Sequence, residues 1–166
     1  MKQLVSHRVL RIYSLVSTGL IIMIISTGCN PDVIYEKNHS LSGTWERSEK
    51  PEFNVEITDT LTPVNFLLNI RHNTSYPYSN LFLFINTFYP NGMDTRDTVE
   101  ILLARPDGEW LGSGLGKLKS SRIMLKQGVV FTMTGTYTFQ FEQAMRVKEL
   151  QGMEDFGITI EKMQEN

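Results

Sequence analysis

Gly135-Thr136-Tyr137-Thr138-Phe139-Gln140-Phe141 alternates polar and apolar residues from Thr136 onward. Successive side chains leave a strand on opposite sides, so an alternation of period two is the pattern of a β-strand with one buried face. Phe53-Asn54-Val55-Glu56-Ile57 and Ile158-Thr159-Ile160-Glu161 repeat it. Two further stretches, Val64 to Arg71 and Leu81 to Phe88, are apolar on both faces and are expected to be central strands covered by another layer or by loops. Asn91-Gly92 joins Leu81–Phe88 to a strand from Thr98 to Leu103, and Asp107-Gly108 turns that strand toward Trp110. Both dipeptides tolerate the positive φ of tight hairpins. Only Glu142 to Leu150 has room for a short helix. An all-β, antiparallel sandwich of immunoglobulin-like or jelly-roll topology is therefore expected. Tyr137, after a glycine turn and two residues before Phe139, has the spacing of a tyrosine corner, which favours the immunoglobulin-like form.

Before this pattern begins, Lys2, Arg8 and Arg11 precede an apolar stretch that ends in Ser26-Thr27-Gly28, followed by Cys29, the chain's single cysteine. A basic region, a short apolar region and small residues before a cysteine are the signature of a cleaved lipoprotein signal. Ile12 to Thr27, broken by Ser14, Ser17, Thr18 and Gly19, falls short of the roughly 20 apolar residues of a membrane-spanning helix. Residues 1–28 are thus expected to be a signal peptide, with Cys29 as the lipidation site. Residues 29–42 are expected to be a polar tether with at most a brief strand around Val33 to Tyr35, and residues 43–166 the sandwich domain. One departure from the usual signal is Ser26, which stands where an aliphatic residue is customary. The whole chain has a formal net charge of −2, and loss of the three leader cations makes the mature protein more acidic. No basic surface for nucleic acid is expected. With its cysteine committed to lipid, the chain forms no internal disulfide and no cysteine metal site.

Catalytic patterns are sparse. His39 lies in the expected tether and His72 ends a strand beside Asn73 and Thr74, so both are expected at the surface, without the paired spacing of a metal or base–nucleophile site. Gly112-Ser113-Gly114-Leu115-Gly116-Lys117 has the look of a phosphate loop, but Leu111 replaces its first glycine, Leu118 its Ser/Thr, and no helix follows. Asp94, Asp97, Glu100, Asp107 and Glu109 offer no singled-out pair of carboxylates. No cofactor, no metal and no enzymatic activity are expected.

The most distinctive mature segment is Ser75-Tyr76-Pro77-Tyr78-Ser79-Asn80. Pro77 stiffens a loop that carries two tyrosines, each with a large apolar body and a polar tip suited to interfaces. Tyr76, Pro77, Tyr78, Asn80 and Trp110 are the candidate interaction residues. The alternative is that these rings close one end of the sandwich over its core.

Tyr76-Pro77-Tyr78-Ser79-Asn80-Leu81, Asp97-Thr98-Val99-Glu100, Asp107-Gly108-Glu109-Trp110-Leu111-Gly112-Ser113-Gly114, Gln143-Ala144-Met145-Arg146 and Gly157-Ile158 occur in this order. As a set the chain resembles the gliding motility lipoprotein GldH family of the Bacteroidota, from the leader to about Lys162. The resemblance implies a non-enzymatic, lipid-anchored protein of the outer membrane. Its expected partners are envelope proteins of the gliding machinery and the linked secretion apparatus. Only Asp32 and Glu36 follow Cys29 closely, in place of the dense acidic cluster expected of lipoproteins exported to the surface in this group, which favours the periplasmic face. A carbohydrate- or peptidoglycan-binding module, with Tyr76, Tyr78 and Trp110 as a sugar platform, is the competing expectation.

Overall fold

In the computed structural model, which describes residues 32–164, the period-two segments become strands. They are β1 (Val33–Glu46), β2 (Glu52–Ile57), β3 (Val64–Asn73), β4 (Asn80–Phe88), β5 (Asp94–Leu102), β6 (Leu118–Val129), β7 (Gly135–Gln143) and β8 (Glu149–Lys162). One sheet has the order β1-β8-β3-β6 and the other β2-β7-β4-β5, and every pairing is antiparallel. Apart from β4 and β5, consecutive strands lie in opposite sheets, so the chain crosses the sandwich at almost every connection. That order is a jelly roll, which corrects the preference for an immunoglobulin-like topology. The corner itself is present: the Tyr137 hydroxyl donates to the Met133 carbonyl at 3.2 Å. A hydrogen bond spanning four residues satisfies a buried phenol locally and carries no information about strand order.

Aromatic rings from both sheets hold the layers together. Trp45 on β1 and Phe156 on β8 lie 5.0 Å apart between centroids, and Phe156 meets Phe141 on β7 at 4.8 Å and Phe53 on β2 at 6.3 Å. Phe53 and Phe141 complete the set edge-to-face at 5.8 Å. All four rings are buried. A second inter-sheet contact joins Phe66 on β3 to Phe139 on β7 at 4.9 Å. Such pairs add about 0.5–1.5 kcal/mol each beyond the burial of their surface. The Trp45 indole N–H is satisfied by the Glu49 carbonyl at 2.9 Å.

Three segments depart from the expectations. From Val33 the expected tether is strand β1, paired with β8 from Val33↔Glu161 to Glu46↔Glu149. It is polar because it is a sheet edge with one face in water, and its alternation is broken by a bulge between Ser40 and Gly43, where Ser42 and Gly43 take positive φ of 51° and 88°. The boundary at residue 42 is thereby corrected, while the leader and Cys29 lie outside the described residues. Strand β6, on the opposite edge, carries no clean period-two pattern because Lys119 and Ser121 stand at its half-buried positions. Glu142 to Leu150 forms no helix: β7 runs to Gln143 and β8 begins at Glu149. Side chains satisfy the backbone of the connection instead. Gln143 donates to the Val147 carbonyl at 3.0 Å and accepts from the Met145 N–H at 3.0 Å, and Arg47 donates to the carbonyls of Met145 and Val147.

Replacing Phe156 by alanine removes the ring common to three of these contacts. The expected loss is about 3–5 kcal/mol of unfolding free energy, measured by chemical denaturation of the purified protein.

Candidate functional site

The loop between β3 and β4 folds inward because Asn73 organises it. The Asn73 carboxamide oxygen accepts from the Ser75 N–H at 2.9 Å, its amide donates to Glu154 at 2.8 Å, and the Tyr76 N–H donates to the Asn73 carbonyl at 3.1 Å. This turn drives the Tyr76 ring into the core, where it is 3% exposed. Its hydroxyl donates to the Asn80 carbonyl at 2.8 Å, and burial raises the phenol pKa far above its ordinary value, so it stays a donor. Gly152, with φ of 85°, lies against this loop, and a Cβ there would strike the Tyr76 backbone.

Trp110 reaches the same end of the sandwich from the Asp107-Gly108 turn. Gly108 has φ of 87°, the Arg105 N–H donates to the Glu109 carbonyl at 2.8 Å, and Ala104 bridges to Trp110. The Tyr76 and Tyr78 rings lie 5.8 Å apart at 75°, and Tyr76 and Trp110 6.4 Å apart at 58°. Tyr78 and Trp110 are half-buried, Pro77 is exposed, and Asn80 donates to Glu100 at 2.6 Å. The structure therefore gathers the expected rings, but around Tyr76 as a core plug. Steeply inclined rings with the middle one buried do not make a flat sugar platform.

His72 completes this group, 4.5 Å from Trp110 and 5.6 Å from Tyr76. It is fully buried, not at the surface as its polar neighbours Asn73 and Thr74 led one to expect, because its position on β3 continues the inward series Phe66, Leu68, Ile70. Nδ1 lies 3.1 Å from the Asn73 carbonyl, whereas Nε2 has no hydrogen-bond partner. Desolvation depresses its pKa, and the nearby Lys119 charge acts the same way against the opposing effect of the Asn73 carbonyl. His39 is half-buried with Nε2 2.7 Å from Glu49. Among the described residues no group of three or more His, Cys, Asp or Glu gathers as a metal site would require.

A second set of aromatic residues lies on the outer face of the β2-β7-β4-β5 sheet. Phe82 and Phe88 on β4 are 36% and 41% exposed. Phe84 between them is half-buried beneath the Arg96 guanidinium, 4.2 Å from the ring centroid. Glu142 holds Arg96 at 3.4 Å and Lys50 at 3.3 Å on the same face. The sequence signal was visible, since Leu81 to Phe88 is apolar on both faces, but that pattern reads as a covered strand. In the structure only Arg96 shields this face, over Phe84, and Phe82 and Phe88 stay exposed.

These features define a jelly-roll domain whose distinctive surface groups are aromatic and whose plugged end is built from the expected loop residues. The family model for the GldH lipoprotein matches residues 33–160, and the chain belongs to that family, which is not a known enzyme family. A relative from Christiangramia forsetii, the gliding motility lipoprotein GldH homolog, is 34% identical over 147 residues, covering 84% of this chain and 90% of the relative. The gliding motility lipoprotein GldH of Flavobacterium johnsoniae is 30% identical over 155 residues, covering 88% and 96%. Among solved structures, TmCBM61 in complex with beta-1,4-galactotriose aligns at 16% identity over 79% of this chain and 71% of its own, with a TM-score of 0.30. That score is too low to bear on fold or ligand.

Tyr76→Ala is expected to destabilise the domain by about 3–5 kcal/mol, the range for a large ring lost from a core, whereas Pro77→Ala stays within about 0.5 kcal/mol. Chemical denaturation distinguishes a plug from a free contact residue. A pH series tests His72. Because the folded state binds the imidazole proton more weakly, the His72 contribution is whole above the unfolded pKa of about 6.5 and declines as pH falls through and below it. The decline in melting temperature between about pH 7.5 and 5 is expected to be shallower in His72→Phe, which keeps a ring and cannot titrate.

Proposed function

We propose that this protein is a lipid-anchored, non-enzymatic interaction component of the gliding motility machinery and its linked secretion apparatus. Acylated Cys29 holds it at the periplasmic face of the outer membrane. Family membership supports the envelope role, and the exposed Phe82 and Phe88 rings on the outer face of β4, either side of Phe84 and Asn86, are the observation that carries the interaction reading. Exposed rings on one rigid strand cost free energy in water and recover it when a partner covers them.

The start of β1 and the plugged end of the domain lie far apart. Only Asn30, Pro31 and Asp32 separate Cys29 from β1. Val33 pairs with Glu161, and Val64 at the start of β3 pairs with Lys162. The Tyr76 loop leaves the other end of β3, a strand of 10 residues, and so lies roughly 30 Å along the sandwich from the start of β1.

In cells carrying the tagged protein, Cys29→Ser is expected to move it from the membrane to the soluble fraction. Phe82→Ser with Phe88→Ser is expected to abolish crosslinked capture of an envelope protein while leaving unfolding within about 1 kcal/mol of the parent. Undiminished capture by the double variant, with the same protein identified by mass spectrometry, would overturn the role of these rings.

A further inference from the structure

Beside these exposed rings, the flank where the edge strands β5 and β6 approach one another is not closed. Two adjoining cavities of about 200 and 180 Å³ open between the sheets and share Phe66, Thr87, Asp97, Lys126 and Phe139 in their walls. The cause lies in the register. Asp97 pairs with Ile85 and Thr95 with Thr87, and Ile85 is buried, so Asp97 and Thr95 occupy core-facing positions where an apolar residue would seal the layers. On β6 the register slips between Phe66↔Lys126 and Leu67↔Met124. A bulge of this kind re-aims side chains, and here Leu125 and Lys126, neighbours in sequence, both line the same cavity.

The result is a slot floored by the Phe66 and Phe139 rings, with a carboxylate on one lip and an ammonium on the other. The Asp97 and Lys126 side chains are solvent-exposed at the mouth of the slot and make no hydrogen bond or ion pair with other described residues. The outer backbone groups of β5, an edge strand, have no strand partner either. An acyl chain would fill the slot but use neither the two opposite charges at its mouth nor the open edge. An extended polypeptide engages all three: its main chain continues the ladder, and every second side chain points into the slot.

We propose that this flank is the docking groove for an extended segment of a partner protein. The segment adds to the open edge of β5 and seats one apolar side chain between the sheets, against Phe66 and Phe139. A cationic and an anionic residue two positions to either side of it pair with Asp97 and Lys126. This deepens the interaction role argued above and rests on it, by naming the chemistry of what is bound.

The test uses the purified full-length protein and the peptide Ser-Lys-Val-Phe-Val-Glu-Ser, which places Lys, Phe and Glu on one face. Binding is expected to slow hydrogen exchange of the β5 backbone amides, read by NMR. It is expected to weaken at least about ten-fold in Asp97→Ala with Lys126→Ala, and when the peptide's Phe is replaced by Ser. Unchanged exchange along β5, equal binding by the double variant, or occupation of the slot by laurate but not by the peptide would each overturn it. The same double variant in the cellular crosslinking experiment separates the two claims. A partner still captured at parental yield refutes the groove and leaves the interaction role standing. Absence of any partner from the parental protein refutes the role itself, whatever the peptide does.

Discussion

The structure depends on four rings that meet between its layers. Trp45 and Phe156 come from one sheet and Phe53 and Phe141 from the other, so their contact is also the contact of the sheets. The rings are carried by two consecutive pairs of strands, β1–β2 and β7–β8, at opposite ends of the described chain, and the jelly roll gains its core only when these distant pairs arrive together. The cluster sits toward the β1–β2 side. On the opposite side, between β5 and β6, no ring pair joins the edge strands, and the layers part there. The closed and open flanks follow from where the large side chains stand.

This asymmetry organises the surfaces. One end is sealed by Tyr76, held by its own hydrogen bond to Asn80 and flanked by His72 and Trp110. Burial there is deep enough to leave an imidazole nitrogen unpartnered, a cost that the surrounding packing must offset. The outer face of β4, by contrast, leaves rings in water, and the neighbouring β5–β6 flank leaves charges without partners. The ring cluster lies in the β1, β2, β7 and β8 part of the sandwich, and the exposed Phe82, Phe88, Asp97 and Lys126 in the β4–β5–β6 part.

Much of the fold was legible from local pattern. Phe53 to Ile57, Tyr137 to Phe141 and Ile158 to Ile160 alternate because each strand has one dry and one wet face, and Asn91-Gly92 and Asp107-Gly108 turn the chain where they are found. Two of the four edge strands were not legible. The β1 segment reads as tether, and β6 carries no clean alternation because Lys119 and Ser121 stand at half-buried positions, since a strand with water on one face and along one side keeps little apolar signal. The site was half legible: Tyr76, Tyr78 and Trp110 do assemble, but whether a ring seals a core or meets a partner depends on a turn at Asn73 that pattern alone does not orient.

The sequence by itself determined the all-β class, the strand periods, the turn positions and membership of a lipoprotein family, because each is written in residues near one another or in motifs held in order. Tertiary structure decided the jelly-roll order over the immunoglobulin-like one, the burial of His72 and Tyr76, the exposure of Phe82 and Phe88, and the open flank at Asp97 and Lys126. These depend on which strand lies beside which, and a period-two pattern says only that a strand has two faces, never what lies against them.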